Sequence, residues 1–272
     1  MSIQSPKKNM IFISAFCASV LFSFAQENTI SEVLVTDRPD ATEASSTVGE
    51  NVLQIEIGGL YESFEKNNIQ SESYTFNTTL IRYGILDNLE LRLGWDFVEE
   101  VTKVNGNKLD NITSGFSTLL LGVKIDVAEE NGAMPEIAVI GHVFPVFSAS
   151  EDYRPETTGV DFRFSFAHTL SEKSSLGYNL GAEWGNDSPE AAAIYTLAYG
   201  YSLSDRFGIF AEIYGDLPED SSANHYLDAG LTYLVCNDLQ LDAYAGTSFT
   251  EGQDILVGLG LSYRVKPKRL KQ

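Results

Sequence analysis

What the chain lacks narrows its class before any motif is considered. Cysteine occurs only twice, at Cys17 and Cys236. Cys17 lies in an apolar N-terminal stretch that reads as a removable leader, so the mature chain keeps one thiol and forms no internal disulfide. Past that leader there is no uninterrupted apolar run of the roughly 18 residues that a spanning helix needs. If the chain lives in a membrane it must do so as a closed barrel, because only helices and closed barrels satisfy every backbone group in lipid. Cations are scarce too: 18 Lys plus Arg face 38 Asp plus Glu, a formal net charge of −20. Loss of Lys7 and Lys8 with the leader makes the mature chain more acidic still, and such a chain repels nucleic acid phosphates.

Motifs that carry chemistry are missing as well. The three histidines, His142, His168 and His225, fall on different segments, and none neighbours a recognisable nucleophile motif. The acids Asp37, Asp40 and Glu43, or Glu219 and Asp220, gather without the ordered spacing of an EF-hand loop. No Gly-rich phosphate cradle or nucleotide fingerprint occurs. The chain is therefore expected to have no catalytic residue, no metal site and no cofactor, and to be no enzyme.

What is present begins with an address. Lys7 and Lys8 form a basic start, Met10 to Phe24 is apolar, and Ser23 and Ala25 supply small residues before Gln26, so residues 1–25 read as a cleaved signal peptide. Lipidation at Cys17 is the alternative, but bulky Phe16 precedes it and the apolar run surrounds it. Residues 26–50 are a polar N-terminal segment containing VTDRPDATEASSTV, residues 51–265 alternate between apolar and polar, and 266–272 form a basic tail.

The alternation divides into twelve stretches with period two, each bounded by turn residues. They cover 51–64, 73–84, 89–100, 113–127, 135–147, 158–169, 175–186, 191–203, 206–215, 224–235, 238–249 and 254–265. Tight connections such as LDN, LSEKS, LSD and CND alternate with longer polar ones such as EKNNIQS, TKVNGNKLDN and SASEDYRPETT, with two exceptions, AEENGAMP being longer and NDSP shorter than its class. On the apolar faces quoted next there is no charge. Leu89, Leu91, Leu93, Trp95 and Phe97 stand opposite Glu90, Arg92 and Asp96, and Val160, Phe162, Phe164 and Phe166 opposite Asp161 and Arg163. A soluble sandwich alternates too. Strand count, leader, alternating connection lengths and aromatics near strand ends favour an all-β, membrane-spanning, antiparallel up-and-down barrel of about 12 strands, its tight turns on the periplasmic side.

At LIRYGILDNLELRLG, Leu80 to Gly94, the sequence resembles a bacterial outer-membrane family of transporters of the phenol meta-cleavage (MetA) degradation pathway. The matching residues are Thr36, Asp37, Arg38 and Pro39 of an early TDRP box, then Arg82, Gly84, Asp87, Glu90 and Arg92. GFSTLLLGVKIDV, with Lys124, and the terminal GLGLSYRV are similar as well, although Thr118 stands where the family usually has Asp and VKPKRLKQ follows where the family often ends on an aromatic. The resemblance implies an outer-membrane barrel of a Gram-negative bacterium with a transport role, and it implies no known substrate.

The parity places Glu56, Arg92, Asp96, Lys124, Asp126, Asp161, Arg163, Glu183, Glu212, Asp228, Asp242 and Arg264 on the lumen face, where they either line a pore or pair as structural networks. The polar preface cannot be a lipid-facing strand, since Asp37, Arg38, Pro39 and Asp40 put charge on both faces and remove a ladder donor. It is expected to enter the lumen as a plug, with Asp37, Arg38, Asp40 and Glu43 as its candidate contacts; a mobile periplasmic linker is the alternative. Expected partners are outer-membrane lipid and lipopolysaccharide, the outer-membrane assembly machinery and a small-molecule solute. The leading reading is a passive pore or uptake channel, followed by a plugged structural or surface-interaction barrel and then by a barrel enzyme.

Overall fold

The computed structural model describes residues 33–185, 190–219, 221–249 and 253–266. The expected leader and most of the basic tail lie outside these residues. Thirteen strands follow one another: β1 (Leu53–Lys66), β2 (Ile69–Leu86), β3 (Leu89–Val104), β4 (Asn107–Phe116), β5 (Leu120–Ala128), β6 (Glu136–Phe144) and β7 (Gly159–Ser171). Then come β8 (Ser174–Trp184), β9 (Ala192–Ser202), β10 (Phe207–Pro218), β11 (Asn224–Cys236), β12 (Leu239–Ser248) and β13 (Gln253–Val265).

Each wall strand is antiparallel to its neighbours, and the sheet closes where β1 pairs with β13, from Leu53 opposite Val265 to Phe64 opposite Gln253. The closed wall has twelve positions, because β4 and β5 share one. The first half of β3 pairs with β5, Leu89 opposite Ile125 through Gly94 opposite Leu120, and its second half pairs with β4, Phe97 opposite Phe116 through Val104 opposite Asn107. Residues 117–119 bulge between the two, held by the Ser117 amide donating to the Asp96 carbonyl at 3.0 Å. The single stretch expected at 113–127 is thus two strands.

A related correction concerns 65–71 and 101–112, expected as loops. Both are the tips of long hairpins, turning at Asn67 and Asn68 (φ 54° and 62°) and at Asn105 and Gly106 (φ 50° and 78°). Two successive residues at positive φ make a turn whose twist matches that of the flanking strands, and Asn and Gly adopt it at least cost. The Asn-Gly pair was the available signal, masked by the polar composition around it.

Burial is inverted relative to a water-soluble domain. On β3, Leu91 is 46 % exposed, whereas Glu90 and Arg92 beside it are 0 % and 3 % exposed. Arg82, Lys124, Gln54, Glu56, Glu90 and Asn179 are among the largest fully buried side chains, while Ile255, Val257, Leu259 and Leu261 of β13 face outward. Such an exterior is stable only against lipid, which settles which face of the alternation meets water in favour of the inside. A run of ring contacts, with Phe166 on Tyr178 at 4.8 Å and Phe162 beside Trp184 at 6.2 Å, continues across the outside of β7 and β8.

Candidate functional site

Residues 33–50 run inside the barrel before β1 begins. The segment enters at the short-turn end, where the Leu34 amide donates to the Asn237 carbonyl at 2.8 Å. It crosses the lumen to the opposite wall: the Ala41 amide donates to Glu212 Oε2 at 2.7 Å, the Thr42 hydroxyl to Thr196 Oγ1 at 2.7 Å, and the Glu43 amide to Asn179 Oδ1 at 2.7 Å. It then returns, the Val48 amide meeting Glu90 Oε2 at 3.0 Å, and reaches the β2–β3 turn, where the Glu50 amide donates to Asp87 Oδ1 at 3.3 Å. A coil excluded from water must find partners for its backbone groups, and here wall side chains supply them.

Asp37 is the hub of this insertion. Its carboxylate lies 2.6 Å from Arg92 Nη1, 2.8 Å from Lys124 Nζ and 3.2 Å from Arg82 Nε, and it also accepts from the Ala44 amide at 2.9 Å. Its own amide donates to both oxygens of Glu56, at 3.1 and 3.2 Å. Burial alone would raise the Asp37 carboxyl, but Arg82, Lys124 and Arg92 outweigh it and hold it well below the usual carboxylate range. The two arginines are shared: Arg82 also pairs with Glu90 at 2.9 Å and Glu56 at 3.2 Å, and Arg92 with Glu43 at 2.7 Å and Glu90 at 3.0 Å. Burial likewise works to raise Glu43, and Arg92 and then Arg163 reverse it, leaving its carboxyl lowered.

Arg38 faces the other way. Its guanidinium makes a two-pronged contact with Asp242, Nε to Oδ2 at 3.3 Å and Nη2 to Oδ1 at 3.0 Å, and donates from Nη1 to the Thr78 hydroxyl at 3.1 Å. Thr78 reaches it because Asn77, at φ 59°, bulges β2 and shifts its register against β1. The floor of the seat is two paired glycines, Gly58 and Gly260, at which a Cβ would stand 2.5 Å and 2.3 Å from the guanidinium. Glycine is needed there because the guanidinium occupies the side-chain space.

Asp40, by contrast, has no cation partner within 4 Å among the described residues. Burial, reinforced by Glu212 and Asp228, raises its carboxyl well above the usual range. Arg38 and Asp40 both border two cavities. One, of about 610 Å³, opens toward the long-loop end beside Asp96, Phe144 and Glu183; the other, of about 350 Å³, opens toward the short-turn end beside Thr169, Lys173 and Gln240. The inserted segment is the partition between them.

The expected lumen residues differ in what they meet. Glu56, Arg92, Lys124, Glu212 and Asp242 contact the inserted segment directly. Asp161 pairs with His142 at 2.8 Å and with Arg163 at 3.5 Å, and Arg163 lies 3.9 Å from Glu43. Asp96 and Glu183 border the larger cavity, Asp228 is buried opposite Glu212 in register, and Asp126 is half-buried near the short-turn end of β5. Arg264 lies at the short-turn rim, bound to turn residue Asp238 at 2.7 Å.

In the sequence Arg82 and Glu90 stand as parts of a hairpin motif, and Gln54, Thr78, Asn179 and Gly58 are not among the lumen candidates. Their shared signal was inward parity on strands whose other inward residues are charged. His142 also belongs to the network. Arg92 Nε donates to its Nε2 at 3.0 Å, so the proton of the neutral ring sits on Nδ1, facing Asp161. With both ring nitrogens engaged, neither is left to activate a nucleophile. Among the described residues, no group of three or more His, Cys, Asp or Glu is arranged to hold a metal ion.

A closed antiparallel wall with an apolar exterior, a charged interior and an inserted N-terminal segment defines a transmembrane β-barrel of the outer-membrane type. The chain belongs to the family described as "Putative MetA-pathway of phenol degradation", whose model matches residues 36–265. Its fold is similar to that of an outer membrane channel from Pseudomonas putida F1, at 12 % identity and a TM-score of 0.66, covering 85 % of this chain and 100 % of that one. The KdgM porin is similar at 8 % identity and 0.50, covering 77 % of this chain and 98 % of the porin. The NanC porin is similar at 7 % identity and 0.50, covering 78 % of this chain and 100 % of the porin. No curated protein matches in sequence.

Proposed function

We propose that this chain is an outer-membrane channel for the passive uptake of small solutes and that residues 33–50 form its gate. The observation that carries the reading is the partition: two solvent spaces, one toward each end of the barrel, meet at Arg38 and Asp40. A segment held by side chains rather than by a sheet ladder can leave and return without unfolding the wall. Similar folds are described as an outer membrane channel and as porins, and the family description names phenol degradation, which supports small aromatic or apolar compounds as cargo. Lipid and lipopolysaccharide surround the wall, the outer-membrane assembly machinery inserts it, and the chain itself performs no catalysis.

A second reading, a barrel kept closed, is favoured by the density of buried ion pairs around Asp37. Planar-bilayer conductance separates the two. Arg38→Ala removes the contacts to Asp242 and Thr78 and is expected to raise conductance above a measurable wild-type level. A silent wild type that conducts only after deletion of residues 26–48 supports the closed barrel. Unchanged conductance in both variants sinks the gate.

A further inference from the structure

We propose that the larger cavity seats one aromatic ring of the passing solute on an apolar belt of the inner wall and reads the group attached to it, accepting a hydrogen-bond donor, best an ammonium, and rejecting a carboxylate. Such a seat rests on the channel reading above and gives that channel its class of solute.

Strand register builds the belt. Leu80 of β2 lies opposite Gly94 of β3, and Gly94 opposite Leu120 of β5. The pairing of Leu121 with Val143 sets Leu120 beside Phe144 of β6, which lies opposite Gly159 of β7. One row of the inner face, five wall strands wide, therefore carries no charge, and all five residues border the cavity. The next row toward the short-turn end is of the opposite kind: Arg82, Arg92, Gly122, His142, Asp161 and Glu183 lie opposite one another in turn. A solute descending from the long-loop end meets the belt just before the ion network.

The belt fits a ring. Its two leucines close over Gly94, where a Cβ would stand 3.2 Å from the Leu120 Cβ and 3.7 Å from the Leu80 Cδ1. Phe144 is held edge-on to His142, ring centroids 6.2 Å apart, and because Gly159 opposite it has no side chain, the phenyl ring borders the cavity. A second ring packs offset or edge-on against such a phenyl group and sheds water on the leucines.

The charges around the belt decide the substituent. Arg38 and Arg92 border the cavity, and both are taken, Arg38 by Asp242 and Arg92 by Asp37, Glu43 and Glu90. Asp96 and Glu183 border it too and have no cation within 4 Å among the described residues; Arg163 turns to Asp161, at 3.5 Å. Asp96 is two residues beyond Gly94 toward the long-loop end, about 7 Å along the strand, and Glu183 belongs to the row on the other side of the belt. A donor on a seated ring thus has a carboxylate within reach on either side. A carboxylate on the same ring meets like charge and finds both bordering arginines occupied.

The test uses the chain's own reporters, since its two tryptophans, Trp95 and Trp184, both border the cavity. Saturable quenching of their fluorescence in detergent-purified protein at neutral pH gives the affinity for benzylammonium, benzyl alcohol and phenylacetate, and liposome swelling with the same solutes gives their permeation. Benzylammonium is expected to bind about tenfold tighter than benzyl alcohol, the difference between a charge-assisted and a neutral hydrogen bond, and phenylacetate about tenfold more weakly than the alcohol. Asp96→Asn/Glu183→Gln, isosteric with the wild type, should bring benzylammonium to within about twofold of the alcohol and leave the alcohol unchanged. Phe144→Ala should weaken both by about tenfold. Phenylacetate bound as tightly as benzylammonium overturns the proposal, as does an ammonium preference that survives the double variant or unchanged binding in Phe144→Ala. Swelling separates the seat from the channel: binding in the expected order without permeation upholds the seat and sinks the channel, permeation without saturable quenching sinks the seat alone, and the absence of both sinks both.

Discussion

Asp37 offers the sharpest test of the inserted segment. Asp37→Asn keeps the side-chain size but removes the charge that three buried cations share. Arg82 retains Glu56 and Glu90, and Arg92 retains Glu43 and Glu90. Lys124 is left with the Ala44 carbonyl at 2.8 Å and, among the described residues, no carboxylate within 4 Å. Removing one partner of a buried pair costs about 3–5 kcal/mol, chiefly by stranding the other charge. Undocking relieves that cost by letting water reach Lys124. With each ~1.4 kcal/mol worth a factor of ten, the undocked fraction should rise roughly a hundredfold to a few thousandfold. Single-channel recording reads this as open probability. Lys124→Met alone should act less strongly, since Asp37 keeps two arginines, and Asp37→Asn/Lys124→Met should open less than Asp37→Asn alone, a coupling that a double-mutant cycle measures. An open probability in Asp37→Asn within about threefold of wild type, in a barrel whose migration on unheated gels is unchanged, would refute the reasoning, because a few kcal/mol cannot hide in so small a change.

Two other outcomes follow from the same geometry. The carboxyl of Asp40 is raised in the docked segment, so its contribution to docking is full below the free carboxylate pKa of about 3.9 and is lost as pH rises through the raised value. Asp37, lowered when docked, has the opposite sign: its contribution is present above that free value and is lost as pH falls through the lowered one. Above that free value Asp37 is therefore constant, wild-type conductance should increase as pH rises through the raised value of Asp40, and Asp40→Asn should show a smaller increase; a variant as pH-dependent as wild type would show that another group titrates. Gly58→Ala and Gly260→Ala each put a methyl group where the Arg38 guanidinium lies, and because that guanidinium is the far end of a flexible side chain the wall should fold normally while Arg38 is expelled. Both should reproduce the raised conductance of Arg38→Ala; conductance at the wild-type level would mean that the seat is not tight.

Much of the wall was legible residue by residue. Period-two alternation is local, so Leu91 against Glu90 and Arg92, or Phe164 against Arg163, reveals a strand with one face for each medium, and charge confined to one parity marks the inner face. Arg92, Lys124, Glu212 and Asp242 share the charged parity of their strands and are buried in the fold. The hairpin tips at 65–71 and 101–112 were misread because polar composition outweighed a two-residue turn signal. The split of the fourth wall position escaped because Ser117 to Leu119 look like any other alternating residues; only the early end of β6 leaves β4 without a partner.

The sequence by itself determined the strand periodicity, the membrane-facing surface and the unsuitability of Asp37 to Asp40 for that surface, since each depends on neighbours in the chain. Tertiary structure decided which charges meet. Arg38 and Asp242 are 204 residues apart, and they touch because closure of the wall sets β13 beside β1 and β12 beside β13. Asp37 finds Arg82, Arg92 and Lys124 for a similar reason: hairpin registers stack three inward cations on adjacent strands, and a buried carboxylate is stable only where such a cluster surrounds it.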